Sequence, residues 1–245
     1  MQAALDTWPD WELPLTARPE VVARVPGGRT NRSYQLRAPG LRFDLLLRLN
    51  NPRAEQLGIR RESEAVILET VASAGLSRGA CYWSPAHDFT VFRHVNARTW
   101  SARDFQSETQ RRRLLEALGV VHQLRPDTPR RRYTDYLDHY WRQLEAAGAL
   151  EASLKKQWAD FRPALREFDE SDWVPVLTHH DLIPENILEN EDRLYLIDWE
   201  YAAVGHPDID RWCLDPTLVR HPFIPELARW TNDLWERVLA LHARS

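Results

Sequence analysis

Two short apolar runs with a polar, proline-containing loop between them constrain this chain more than any other stretch. The first, Val174 to Leu177, leads into Thr178-His-His-Asp-Leu-Ile-Pro-Glu-Asn186; the second, Leu194 to Ile197, ends on Asp198, twelve positions beyond Asn186. A loop followed by two short strands brings Asp181, Asn186 and Asp198 to one end of a hairpin. Two carboxylates and a carboxamide there form an oxygen-rich site suited to Mg²⁺, which takes few protein oxygens and shares its shell with substrate phosphates. Turns favour Asp and Asn in any case. His179 and a strand-borne Asp198 make simple turn decoration a poor account of this stretch.

The rest of the pattern divides the chain in two. Up to about residue 95 it reads as strands with one helix. Val22 to Val25 and Ser33 to Arg37 flank the turn-rich Pro26-Gly-Gly-Arg-Thr-Asn31, and Phe43 to Leu49 is a strongly apolar strand. Arg60 to Ala74 has helical spacing, with Gly75 placed as a C-cap, and Phe89 to His94 is a further strand. Beyond residue 96 helical periods dominate: Ser107 to Leu124, Tyr133 to Ala147, Leu150 to Phe168 and Pro225 to Ala243. The expected class is α+β, with a β-rich lobe over 1–95 and a mainly helical lobe over 96–245.

His-x-Asp-x-x-x-x-Asn followed by a strand-borne Ile-Asp resembles the catalytic core of the protein-kinase-like fold. "HHDLIPENIL … LYLIDWEYA" is most similar to its small-molecule branch, the choline kinase and aminoglycoside phosphotransferase family, and within that to bacterial choline and thiamine kinases. The resemblance implies an ATP- and Mg²⁺-dependent phosphotransferase with an alcohol acceptor. Asp181 would be the base or hydroxyl-orienting group, Asn186 and Asp198 the metal ligands, and His179 a brace for the loop. Pro26 to Tyr34 resembles the family's "GGxTNxxY" loop over the phosphates, which implies cofactor contacts from Gly27, Gly28, Thr30 and Asn31. Arg48 stands where protein kinases carry the third-strand Lys, with Glu62 its expected helix partner and Glu64 the second candidate. Arg93, His94 and Val95 fall where the adenine-binding hinge would be. His122 and Asp210 are expected to be structural, Asp210 as an anchor of the catalytic loop. Ile183 replaces the lysine that protein kinases place two residues after the catalytic Asp, which disfavours a protein substrate.

For the acceptor, Trp199, Glu200, Tyr201 and Trp212 offer aromatic faces and a carboxylate, the chemistry that holds a quaternary ammonium or thiazolium cation. Choline or ethanolamine ranks first, thiamine second and an aminoglycoside third, because Glu226, Asp233 and Glu236 near the C-terminus are matched by Arg229, Arg237 and Arg244. The chain ends 45 residues after Glu200, sooner than is usual among the kinases it resembles. The alternative from another class is a non-catalytic nucleotide-binding pseudokinase. A net charge of −4 argues against a nucleic-acid partner, and the arginine runs 111–113 and 130–132 read as a solvated helix face and a charged loop. Cys81 and Cys213 make no disulfide framework or metal spacing. No leader peptide or membrane insertion is expected, and the expected compartment is the cytoplasm. Nothing in the sequence speaks to oligomeric state.

Overall fold

The structure is a computed structural model that describes residues 1–191 and 193–243. Its chain opens with a short helix, α1 (Gln2–Asp6), and then builds β1 (Glu20–Val25), β2 (Arg32–Arg37) and β3 (Leu45–Leu49). Helix α2 (Arg61–Ser73) crosses before β4 (Ala80–Trp83) and β5 (Phe89–Arg93). The sheet order is β1-β2-β3-β5-β4, and every neighbouring pair is antiparallel. Alternation along β3 decides what each face does. Leu45 and Leu47 are fully buried in a cluster with Trp11, Leu36, Phe89 and Val91, while Arg48 projects from the other face. Register places Arg48 opposite Ser33 on one side and Thr90 on the other.

Helix α2 buries Arg61, Glu64, Ile67, Leu68 and Val71, the spacing of one helical stripe. It ends as its sequence signals: Gly75 adopts φ +75°, Gly75 N–H donates to Ala72 O, and Leu76 N–H to Val71 O. That pair of bonds satisfies carbonyls the helix leaves open.

Beyond the sheet come β6 (Arg98–Thr99), α3 (Ala102–Gln106), α4 (Glu108–Val121), α5 (Tyr133–Ala146) and α6 (Ala152–Glu170). The stretch from Val174 to Ile197, where short strands were expected, holds β7 (Val176–Thr178), β8 (Ile187–Asn190) and β9 (Arg193–Leu196), and a further strand, β10 (Ala203–Gly205), lies beyond it. β7 pairs with β10, and β6, β8 and β9 form a three-stranded sheet. Helices α7 (Asp208–Leu214) and α8 (Ile224–Ala243) complete the helical part. Arg244, counted in the C-terminal charge balance, lies outside the described residues, as does Ser245 at the end of the expected helical lobe.

Two apolar clusters hold this half together. One joins α5, α6 and α8, where most of the tryptophans pack as core; Trp141 and Trp158 stack at 4.8 Å. The other joins Ile67 and Val71 of α2, Leu114 and Leu118 of α4, and Leu177, Leu182, Ile187, Leu196 and Trp199 around the polar loop. This second cluster fixes α2 and the loop to one body. The fold is the α+β arrangement expected, an antiparallel sheet against a helical half. Among the described residues no helix is long and apolar enough to cross a membrane.

Candidate active site

Strand β7 delivers the polar loop, and Asp210 on α7 ties it down. Asp210 is fully buried and accepts the main-chain N–H groups of His179 (3.0 Å) and His180 (3.1 Å). His122, at the C-terminal cap of α4, lies 3.4 Å from the same carboxylate. Asp210 thus holds the loop's backbone and His122 supports Asp210, in keeping with the structural roles expected for them. The His179 ring packs on Trp199 at 4.6 Å, and its Nε2 donates to Ile197 O at 2.9 Å. One imidazole therefore bridges the loop and the strand end that presents Asp198.

Asn186 closes the loop on itself, donating its Nδ2 to Asp181 O (2.9 Å) and to Asp181 Oδ2 (3.1 Å). Asp181 is oriented by that bond, and Asn186 keeps its Oδ1 for another partner. Asp198 follows in the left-handed region (φ +63°), a conformation that costs a non-glycine residue energy and that the bracing must hold. Burial pushes both carboxyls above their ordinary range. For Asp198 the charges of Glu200, Glu64 and Asp181 push further in the same direction, and Arg48 opposes them. Such a cluster is short of positive charge.

Arg48 meets the cluster from above. Its Nη1 lies 2.7 Å from Glu64 Oε1 and 3.6 Å from Asp198 Oδ1. The partner is Glu64 and not the expected Glu62. Glu64 shares the buried stripe with Arg61 and Ile67, whereas Glu62, two residues back, is turned about 200° away and is exposed. Burial alone raises the Glu64 pKa, but the Arg48 and Arg61 guanidiniums outweigh it and hold the carboxyl low.

Two further expectations change at the glycine loop. Thr30 Oγ1 donates to Glu200 Oε1 (2.6 Å), Asn31 Nδ2 to Glu200 Oε2 (2.8 Å), and Arg61 Nη1 to the same oxygen (3.0 Å). Glu200 is therefore a buried clasp joining the glycine loop, α2 and the Asp198 segment. The Thr30 and Asn31 side chains are engaged with it. What the loop offers is backbone: Gly27 and Gly28 hold φ of +91° and +75°, and among the described residues their N–H groups have no acceptor. A Cβ on Gly28 would come within 3.1 Å of Asn31 O. At the hinge, His94 N–H already donates to Asp44 O, Arg93 lies over the Phe43 ring at 4.4 Å, and Val95 makes no backbone hydrogen bond among the described residues.

Of the aromatic residues expected at the acceptor, Trp199 and Trp212 are taken up by core packing, and Tyr201 is buried beside α8. Trp199 is 1% exposed beneath His179, and Trp212 packs against the helical core. The partner of Tyr201 comes from α8, where nothing in the sequence signalled it: Trp235 Nε1 donates to Tyr201 OH at 2.8 Å, with Glu236 beside it. Arg29 of the glycine loop lies over the Trp235 ring at 4.7 Å and forks onto Glu236 at 2.5 and 2.7 Å. A cavity of about 530 Å³ opens on the other side of Glu200, toward the start of α2; five arginines, Arg60 and Arg131 among them, line it against three carboxylates.

Residues 21–241 match the family described as APH, phosphotransferase enzyme family. Protein LicA of Haemophilus influenzae is 28% identical over 194 residues, 75% of this chain and 54% of that protein. The chain thus spans about half the length of that relative. Among solved structures, a choline/ethanolamine kinase family protein from Mesorhizobium loti superimposes with a TM-score of 0.67 at 22% identity, covering 98% of this chain and 84% of that one. A LicA structure in complex with AMP gives 0.68 at 21% identity, over 100% and 91%. At such identities the likeness is one of fold.

Proposed function

The chain belongs to the phosphotransferase enzyme family, and we propose that within it the protein moves the γ-phosphoryl group of Mg·ATP onto the hydroxyl of a small amino alcohol, choline or ethanolamine. The observation that carries the reading is the Asp181–Asn186 hydrogen bond set beside Asp198, with Arg48 held over both by Glu64. A non-catalytic nucleotide binder would be expected to have lost the base or a metal ligand, and all three residues are in place.

The donor set fits a divalent cation. Among the described residues Asp198 Oδ1 is buried without a hydrogen-bond partner, and Arg48, 3.6 Å away, is opposed there by the charges of Glu200, Glu64 and Asp181. Asn186 and Asp198 would hold Mg²⁺, which when bound neutralises developing charge on the phosphate oxygens. Arg48 Nη2, also buried without a partner, is the donor available to a phosphate oxygen, and Glu64 keeps the guanidinium from turning away. The N–H groups of Gly27 and Gly28, without acceptors among the described residues, suit anionic oxygens. Asp181, fixed by Asn186, orients the acceptor hydroxyl and takes its proton as the O–P bond forms; burial makes it a better base than an exposed carboxylate. The 1–95 segment would carry the nucleotide and 96–245 the acceptor.

The aromatic ring of Trp235, the Glu236 carboxylate and Tyr201 support a cationic acceptor, because that environment already accommodates a guanidinium. The arginine-rich cavity on the other side of Glu200 would repel one. The solved relative named a choline/ethanolamine kinase family protein favours the same pair, and neither relative's name supports thiamine. The test is transfer from γ-labelled ATP to choline, ethanolamine, thiamine, aminosugars and an aminoglycoside. Label on choline or ethanolamine supports the proposal. Label on an aminoglycoside alone would overturn the choice of acceptor.

A further inference from the structure

Arg29 sits in the wrong place for a residue whose only task is to dress a phosphate loop. It belongs to the segment that caps the nucleotide, yet its guanidinium spans 207 residues of sequence to reach α8. There it makes two parallel bonds to Glu236 and covers the face of Trp235, whose N–H is itself fixed to Tyr201. The charge of Asp181 also reaches it. A delocalised cation on an aromatic face, beside a carboxylate and within the field of the reacting residue, is chemically what an amino-alcohol acceptor would be in the same position.

We propose that Arg29 is a resident surrogate for the acceptor's cation: without acceptor it fills the Trp235–Glu236 site and ties the glycine loop to α8, and an arriving cation displaces it. The inference rests on the cationic-acceptor reading above. Displacement returns to the loop a free arginine and the mobility to settle over the phosphates, so acceptor binding and nucleotide capture become coupled through one side chain. The strength of the contact suits that role. Arg29 and Glu236 are more than half exposed, and an exposed fork with a cation–π contact holds its closed form by about ten to one. Such a latch biases the loop and still yields to a ligand. Arg29 is then a specificity-determining residue, because every acceptor must outcompete it.

Trypsin reads the latch directly, since Arg29–Thr30 is cut only when the arginine is free. Cleavage at this bond is followed by mass spectrometry in the full chain, with tetramethylammonium chloride as a cation that has no hydroxyl to phosphorylate, against equal sodium chloride. The Glu236→Gln variant should be cut about five- to ten-fold faster than wild type, and Arg29→Lys, which keeps a tryptic site but loses the fork, should also be cut faster. Tetramethylammonium should accelerate cutting of the wild type and leave Glu236→Gln unchanged. In transfer assays Arg29→Ala should lower the acceptor KM several-fold. Equal cleavage of wild type and Glu236→Gln would overturn the latch. Release by Glu236→Gln without any response of the wild type to tetramethylammonium would overturn the surrogate role. If the cation releases Arg29 but neither choline nor ethanolamine is phosphorylated, the latch stands and the acceptor assignment falls.

Discussion

Replacing Glu64 with Gln, alongside the matched Glu62→Gln, separates a buried electrostatic keystone from its exposed neighbour two residues away. Glu64 is 2% exposed and lies 2.7 Å from Arg48 and 2.6 Å from Arg61. Removing one partner of a buried pair typically costs about 3–5 kcal/mol, because the other charge is left uncompensated. Here the loss is softened: Arg61 retains Glu200 at 3.0 Å and Arg48 retains Asp198 at 3.6 Å. The expected cost is therefore about 2–4 kcal/mol, which for a chain of this size lowers Tm by roughly 5–15 °C. Glu62→Gln should stay within about 0.5 kcal/mol of wild type, as exposed substitutions do. Thermal unfolding followed by circular dichroism gives the stabilities. Nucleotide titration should show ATP binding weakened only in Glu64→Gln, where Arg48 has lost its tether. Equal Tm and equal ATP affinity for the two variants would refute the assignment of Glu64 as the partner of Arg48.

Asp198→Ala should reduce kcat on the order of 10³-fold with the fold retained, since it removes the carboxylate that would hold the metal; wild-type kcat at limiting Mg²⁺ would contradict this. His206 carries a pH dependence. Its Nδ1 accepts the Asp208 N–H at 3.1 Å, and burial, aided by His221, Arg211 and Arg130, lowers its pKa from 6.5 to about 4. Between pH 6.5 and about 4 the unfolded histidine takes a proton that the folded one refuses. Stability therefore falls as pH falls through that window, by at most about 1.4 kcal/mol per pH unit. In chemical denaturation the stability advantage of wild type over His206→Gln should shrink as pH falls across it, and a pH-independent difference would show that folding leaves the imidazole pKa unshifted.

Much of the site could be read from the chain because its parts are close in sequence. Asp181, Asn186 and Asp198 lie within one loop and one hairpin, and strand period and turn chemistry suffice to bring them together. The strand expected over Phe43 to Leu49 was legible from its apolar run, though it begins at Leu45, and so was the α2 end at Gly75. Glu64 was within reach, since counting three from Arg61 and three to Ile67 puts it on the buried stripe. The resemblance to a short motif pointed to Glu62 instead. Glu200 was misjudged for a different reason: a carboxylate beside Asp198 reads as a ligand contact until Thr30, Asn31 and Arg61 are seen to consume it. Glu236 was weighed only as part of the C-terminal charge balance, and Trp235 left no local signal. They sit on an ordinary amphipathic helix, and only the packing of α8 against α5, together with the reach of Arg29, brings them to the cleft.

The account depends most on Asp181, and its most direct test is kcat of Asp181→Asn with γ-labelled ATP and the acceptor that the wild type phosphorylates, measured with the ATP Kd of the same variant. The amide keeps the shape of the side chain but cannot take a proton or carry the negative charge that orients the hydroxyl. Loss of such assistance lowers kcat by roughly 10²–10⁴-fold, and the ATP Kd should stay within about two-fold of wild type because the residues proposed to meet the nucleotide are untouched. A near-normal kcat in Asp181→Asn would contradict the central claim that this loop performs phosphoryl transfer.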